Sequence, residues 1–310
     1  MHHYFVVDLG GTNIKYGLAN QAGTLLFTDK FPTPTTLAEF LEILQSTYEK
    51  LKTHVPFAGI AISSPGAIDT HAGVVHGTSA IPYIHEIPLV DMIAEKLDHL
   101  PISIENDANS AALGEFWRGE GQGYQNMASV VCGSGIGGGV IMDGTLWRGT
   151  HLLGGEFGYT PMLSRDGTLK TWSDFTIVNL AKRYQEQTGE VINGYILAER
   201  SRAGEPLAVS LMEEFFLHTA MGIIMIQYAF DPEIIVFGGA LSKDQWIMKN
   251  INHTILTISK GQDFDVYHPV LKACKHGNDA NLLGALYQFL TKYDLLEAEE
   301  EKQYELYIPR

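Results

Sequence analysis

The run that most restricts how this chain can fold lies near its N-terminus, Asp8-Leu9-Gly10-Gly11-Thr12-Asn13-Ile14-Lys15. A β-rich stretch, Tyr4-Phe5-Val6-Val7, enters it and a second, residues 14–19, leaves it, so the chain must reverse direction within a few residues. Strand, Gly-Gly turn and strand predict an antiparallel hairpin. Two readings of the turn stand side by side. In one, the glycines let backbone N–H groups approach an anion because no Cβ intervenes, while Thr12 offers a hydroxyl and Lys15 a positive charge. Asp8 at the strand end then suits a magnesium ion that bridges a phosphate. In the other, Asp8 and the two glycines merely shape a turn.

Composition narrows the classes. A chain of 310 residues suits two modest domains or one large one, and 45% hydrophobic with 18% charged residues is ordinary for a globular protein. No apolar run approaches the roughly 20 residues that span a membrane, and the start lacks the basic segment and cleavage site of a secretory signal. Cys132 and Cys274 are too few for a disulfide framework; buried reduced thiols in a cytoplasmic protein are the expectation. A net charge of −15 argues against a nucleic-acid surface. The histidines are scattered, without the spacing of a zinc site.

Along the chain, residues 25–27 read as a third strand, Pro32 and Pro34 break it, and Thr36 is placed to cap a helix with Phe40, Leu41, Leu44 and Tyr48 on one face. Residues 57–62 form a strand ended by Ser63-Ser64-Pro65-Gly66, and His71-Ala72-Gly73 is a hairpin tip. A helix over 89–97 and a strand over 102–104 complete a β-β-β-α-β-α-β pattern, an α/β fold. A second α/β unit begins near Asn106, with a helix over 108–117, strands over 127–132 and 136–142, helices from Thr176, a strand over 234–237 and a last helix over 280–293. The acidic run from Glu297 to Glu301 reads as a solvated helix end. No internal repeat is apparent.

Four further constellations carry chemistry. Cys132-Gly133-Ser134-Gly135-Ile136-Gly137-Gly138-Gly139 sits between two β runs, which excludes a dinucleotide fingerprint, since that needs a helix after the glycines. It is suited to wrap a phosphate, or else is a flexible turn. In Glu105-Asn106-Asp107-Ala108-Asn109, Asn106 or Asp107 can cap a helix, and a strand-end carboxylate can equally act as general base on a hydroxyl. Gly154-Gly155-Glu156-Phe157-Gly158-Tyr159 presents a carboxylate able to accept bonds from vicinal hydroxyls, or a surface charge. Phe237-Gly238-Gly239 ends a buried strand and offers a backbone platform for a flat ring.

Taken in order, these motifs resemble the ROK family of sugar kinases and repressors, within the actin–hexokinase superfamily, from Asp8 to about Phe289. The resemblance implies two ribonuclease H-like α/β domains flanking a cleft: residues 1–106 as a smaller N-terminal domain, 107–279 as a larger one, 280–294 as a helix returning to the first, and 295–310 as an acidic tail. It also implies a homodimer. By that likeness the ATP-binding stretch comprises Val6, Val7, Asp8, Leu9, Gly10, Gly11, Thr12 and Lys15, with Asp8 near magnesium. Gly133, Ser134 and Gly135 form a second phosphate loop, and Gly238 and Gly239 lie near adenosine. Asn106 and Glu156 hold sugar hydroxyls, and Asp107 accepts the proton of the attacking one.

The departures from the family pattern are as informative. Most members carry Gly-His where this chain has Gly158-Tyr159, followed by three cysteines that bind zinc with that histidine. No cysteine stands between Tyr159 and Trp172, so zinc is not expected. Gly-Tyr resembles two zinc-less branches, the bacterial β-glucoside kinases and some N-acetylmannosamine kinases. The latter tend to carry Asn-Glu in place of Gly155-Glu156. The expected activity is ATP-dependent phosphorylation of a sugar, foremost the 6-hydroxyl of the non-reducing glucose of a β-glucoside such as cellobiose. N-acetylmannosamine kinase or glucokinase is the alternative enzyme, and a non-catalytic sugar-sensing protein the alternative class. Repressors of the family carry a helix-turn-helix domain ahead of the first motif, where this chain has seven residues before Asp8.

Overall fold

The computed structural model describes residues 2–260 and 268–296, in two compact units: residues 1–105 with 285–310, and residues 106–284. The acidic run 297–301 lies outside the described residues.

In the first unit, β1 (His3–Leu9), β2 (Asn13–Asn20) and β3 (Leu25–Pro32) form an antiparallel meander, its first hairpin the one that the strand, Gly-Gly turn and strand predict. Helix α1 (Leu37–Lys52) follows, capped by the Thr36 hydroxyl, which accepts from the Glu39 N–H at 3.3 Å. Strand β4 (Gly59–Ser64) returns parallel to β1. A small hairpin, β5 (Ala67–Asp69) and β6 (Val74–His76), turns at the expected His71-Ala72-Gly73 tip, and α2 (Leu89–Lys96) leads to β7 (Ile102–Asn106). The sheet order is β3-β2-β1-β4-β7. Phe5, Val7 and Leu9 of β1 join Phe40, Leu44 and Tyr48 of α1 in one core. The opposite face of the sheet is also buried: Gly59 has no Cβ because one would lie 2.1 Å from the Phe289 ring, which also packs on Tyr4.

The second unit opens with α3 (Asp107–Arg118), then β8 (Met127–Cys132), β9 (Ile136–Met142) and β10 (Thr145–Trp147), again an antiparallel meander. A short hairpin, β11 (Pro161–Leu163) and β12 (Leu169–Thr171), precedes helices α4 (Ile177–Thr188), α5 (Gly194–Arg202) and α6 (Pro206–Phe230). Then come β13 (Ile234–Gly238), parallel to β8, α7 (Gln245–Ser259), β14 (Leu271–Ala273) and the start of α8 (Ala280–Lys292), whose residues from 285 on belong to the first unit. The order here is β10-β9-β8-β13-β14.

Both sheets thus share one order, a three-stranded meander with two further strands beside its first strand, the adjacent one parallel to it. This shared order is one of connectivity, as expected of two ribonuclease H-like domains, and it does not require a repeat in the sequence. One correction concerns α6. Its 25 residues are long and apolar enough to cross a membrane, against the expectation that no run comes near that length. It is a core helix in this fold: Leu211, Met212, Phe215 and Ile223 are buried, and so are the polar Glu214, His218 and Gln227. His218 has a carbonyl partner at each ring nitrogen, Glu214 O at 2.7 Å and Leu163 O at 2.9 Å.

Candidate active site

In the first unit, β1 carries Val6, Val7 and Leu9 fully inside and leaves Asp8 half-buried at its end. Asp8 stands opposite Lys15 across the β1–β2 pair and opposite Ser63 across the parallel β1–β4 pair. The Ser63 hydroxyl donates to Asp8 Oδ1 at 2.7 Å. Three residues, Gly10 to Thr12, make the reversal, with Gly11 and Thr12 exposed. The turn is tied from the end of β3: the Thr33 N–H donates to Thr12 O at 3.0 Å and its hydroxyl to Gly10 O. A side chain at Gly10 would meet Asn13 O at 2.6 Å, and one at Gly11 the Ala80 methyl at 2.6 Å. Both glycines are required by close approach, and the turn presents an open backbone edge.

In the second unit, Asn106 is the N-cap of α3, its Oδ1 accepting from the Asn109 N–H at 3.0 Å. That decides between the two cap candidates. Asp107 is then the first helical residue, its Oδ1 accepting from the Asn106 amide at 3.0 Å and from the Ala108 N–H at 2.8 Å. A carboxylate there is held by the positive end of the helix. Asp107 lines a hollow of about 290 Å³ with residues 133–137 and Asn281.

The glycines of that loop divide by task. Gly137, Gly138 and Gly139 belong to β9, where added methyls would lie 3.1 Å from Ala108, 2.4 Å from the Phe157 ring and 2.7 Å from Ala112. They let α3 and Phe157 press on the strand. Gly133 and Gly135 shape the loop itself, closed by the Gly133 N–H donating to Gly135 O at 2.9 Å. Outside partners fix it: the Ile136 N–H donates to Ser173 Oγ at 3.0 Å, and Asn179 Nδ2 donates to Ser134 O at 3.0 Å.

Gly133 also lines a second, largely apolar cavity of about 250 Å³ with Gly238, Ala240, Leu241, Ile177 and Tyr195. Gly239, at φ +112°, turns the chain out of β13; a side chain there would lie 2.0 Å from Cys132 O. Burial pushes the Cys132 thiol on this wall up to about 12, so no thiolate faces the cavity at neutral pH. Cys274 is buried too, as expected of both thiols.

The 154–159 loop is seated on β9 by its glycines. A methyl at Gly155, φ +88°, would strike Gly138 O at 2.4 Å, and one at Gly158 would strike Ile136 O at 2.2 Å. Phe157 goes into the core while Glu156 and Tyr159 stay outside. Tyr159 is 76% exposed, which removes a core-packing role for it. Glu156 is exposed by surface area, yet protein crowds its carboxyl, and that desolvation holds its pKa above the usual glutamate value.

The structure therefore gathers Asp107, residues 133–137 and Gly238 around two hollows that share Gly133, and keeps Asp8 to Lys15 as one turn of the first unit. Four residues not singled out from the sequence join them: Ser63, Ser173, Asn179 and Asn281. Ser63 is predictable only once the parallel β1–β4 register is known, and the others lie far along the chain from what they touch.

The sequence profile of the ROK family matches residues 4–292. The chain belongs to the ROK family. It is 30% identical to a β-glucoside kinase of Listeria innocua, over 91% of this chain and 96% of that one, and 31% identical to a β-glucoside kinase of Klebsiella pneumoniae, over 92% and 95%. Among solved structures, a ROK family protein of Streptococcus pneumoniae in complex with sucrose shares 32% identity at a TM-score of 0.85, covering 94% of this chain and 99% of that one. A putative N-acetylmannosamine kinase of Listeria monocytogenes follows at 29% and 0.82, covering 94% and 99%. A ROK family glucokinase of Streptomyces griseus, in complex with glucose and AMPPNP, matches at 27% and 0.77, covering 92% and 98%. The two-domain α/β fold of the actin–hexokinase type is thereby shared with ROK relatives.

Proposed function

We propose that this protein is an ATP-dependent sugar kinase, and within that class a β-glucoside kinase acting on the 6-hydroxyl of the non-reducing glucose of cellobiose or a similar glucoside. The observation that carries the reading is the place of Asp107, held at the start of α3 on the wall of the hollow that the 133–137 glycine loop also lines. A fixed carboxylate beside a glycine loop whose backbone a ligand can reach suits a general base next to an anion.

The residues present fit the groups the family implies. Gly133 and Gly135 leave backbone open where phosphate oxygens would lie, and the apolar cavity beside Gly238 suits an adenine ring. Gly10, Gly11, Thr12 and Lys15 hold further phosphate oxygens in this reading. Asp8, backed by the Ser63 hydroxyl, offers magnesium the hard oxygen it prefers. Magnesium-ATP, when bound, supplies the phosphoryl group with its charge partly neutralised. Asp107 takes the proton from the acceptor hydroxyl, Asn106 and Glu156 fix neighbouring hydroxyls, and Tyr159 lies against the sugar face.

The β-glucoside assignment is supported by the names of the Listeria and Klebsiella relatives; the sucrose bound to the pneumococcal protein, whose glucose is α-linked, supports only a two-ring ligand. N-acetylmannosamine is the second reading, favoured by the Listeria monocytogenes neighbour. A steady-state panel of cellobiose, gentiobiose, salicin, glucose and N-acetylmannosamine with magnesium and ATP decides. The highest kcat/KM is expected on a β-glucoside; a preference for N-acetylmannosamine or free glucose overturns the finer assignment, and no turnover on any overturns the class. The reading includes a cytoplasmic homodimer, whose mass light scattering measures.

A further inference from the structure

Two consecutive residues of the second unit touch both of its loops. Trp172 is anchored in the core, its ring lying so close to α6 that a methyl at Gly222 would be 2.4 Å from it. Its N–H donates to Thr160 O at 2.9 Å, at the end of the loop that carries Glu156 and Tyr159. Ser173 then turns the other way. Its Oγ accepts from the Ile136 N–H at 3.0 Å, at the end of the 133–135 loop, and its carbonyl accepts from Asn179 Nδ2 at 2.8 Å. The same Oγ would lie 2.5 Å from a methyl at Gly158 and 3.4 Å from one at Gly135. Ile136 closes the triangle: its N–H is bonded by Ser173, and its carbonyl is what a methyl at Gly158 would strike at 2.2 Å.

The Ser173 hydroxyl is hydrogen-bonded to the end of one loop and leaves no methyl-sized gap toward the other at Gly158, so a shift of either loop bears on it. Packed interiors transmit such displacements because they have few voids to absorb them. We propose that Ser173 is a positioning residue coupling the two loops, so that an anion seated on the 133–135 loop orders the 156–160 loop that receives the acceptor. This rests on the phosphate-binding role proposed above for the 133–135 loop. It adds that nucleotide and acceptor bind with positive, reciprocal coupling. Asn179 holds the same glycine loop through Ser134 O and the Ser173 backbone through its carbonyl but is not bonded to the Ser173 hydroxyl, so it is the control for that hydroxyl.

The test is amide hydrogen exchange of residues 156–160 in the whole protein, with and without magnesium and AMPPNP, no sugar present. The analogue is expected to slow exchange there by roughly fivefold or more in the wild type, the low end of ordinary coupling. In Ser173→Ala, at analogue concentrations shown by titration to saturate, that protection is lost. In Asn179→Ala the analogue binds more weakly but at saturation still protects the loop. Equal protection in Ser173→Ala and wild type overturns the proposal. So does loss in both variants, because general loosening then suffices. A wild type that binds the analogue without protecting 156–160 also overturns it, whereas failure to bind the analogue at all overturns the nucleotide reading itself.

Discussion

Asp107 and Glu156 are both carboxylates, in different surroundings. Asp107 is held at a helix N-terminus, one carboxylate oxygen accepting from the Ala108 N–H and the Asn106 amide. Glu156 has its carboxyl crowded by protein, so its folded pKa is raised by desolvation. A raised carboxyl contributes stability below its unfolded value, and that contribution is lost as pH rises through the folded value. Glu156→Gln is therefore expected to melt slightly higher than wild type at pH 7, with the difference vanishing below roughly pH 4, in parallel thermal scans. If Glu156 must be charged to accept sugar hydroxyls, the acceptor KM rises on the acid side at a pH above the usual glutamate range, and that inflection is absent in Glu156→Gln. Gly239 gives a second residue-scale expectation. An alanine there adopts a φ reserved for glycine and presses on Cys132 O, at a cost of about 1–3 kcal/mol. Denaturant unfolding measures the loss, and weaker nucleotide binding accompanies it because Gly238 and Gly133 share that cavity wall.

Among the elements, α3 does more than present Asp107. Two turns on, Glu115 is 1% exposed and its carboxylate accepts N–H groups of Glu120, Lys275 and His276 at 3.2, 3.0 and 2.7 Å. It fastens the β14–α8 connection, and Asn281 follows on α8 in the wall of the Asp107 hollow. Glu115→Ala orphans those donors, and calorimetry is expected to register a loss on the order of 3 kcal/mol. The long elements were legible in the sequence because turn residues and apolar spacing mark them: the β1–β2 hairpin, the Thr36-capped helix and α8 form where the pattern puts them. The three-residue strands β10, β12 and β14 were not, because three residues carry no period and are strands only through their neighbours. The 133–139 run shows the same limit within a site. Its glycine density reads as loop chemistry, yet three of its glycines serve packing of α3 and Phe157 on β9, and only the partner elements reveal that.

For the molecule as a whole, two sheets of one strand order, each a meander with two further strands beside it, match the two-domain α/β fold of its ROK relatives. Magnesium-ATP at about one hundred times its Kd is expected to stabilise the fold by about 2.7 kcal/mol, visible as a concentration-dependent rise in Tm. The central claim concerns Asp107, and Asp107→Asn tests it most directly, because the amide keeps the shape and removes the base. Initial rates with magnesium-ATP and cellobiose, set beside calorimetric titration of cellobiose, give turnover and binding separately. The account predicts a fall in kcat of roughly 10²–10⁴ with the sugar Kd changed by less than about threefold. Wild-type kcat in Asp107→Asn, or turnover and sugar binding lost together, contradicts it.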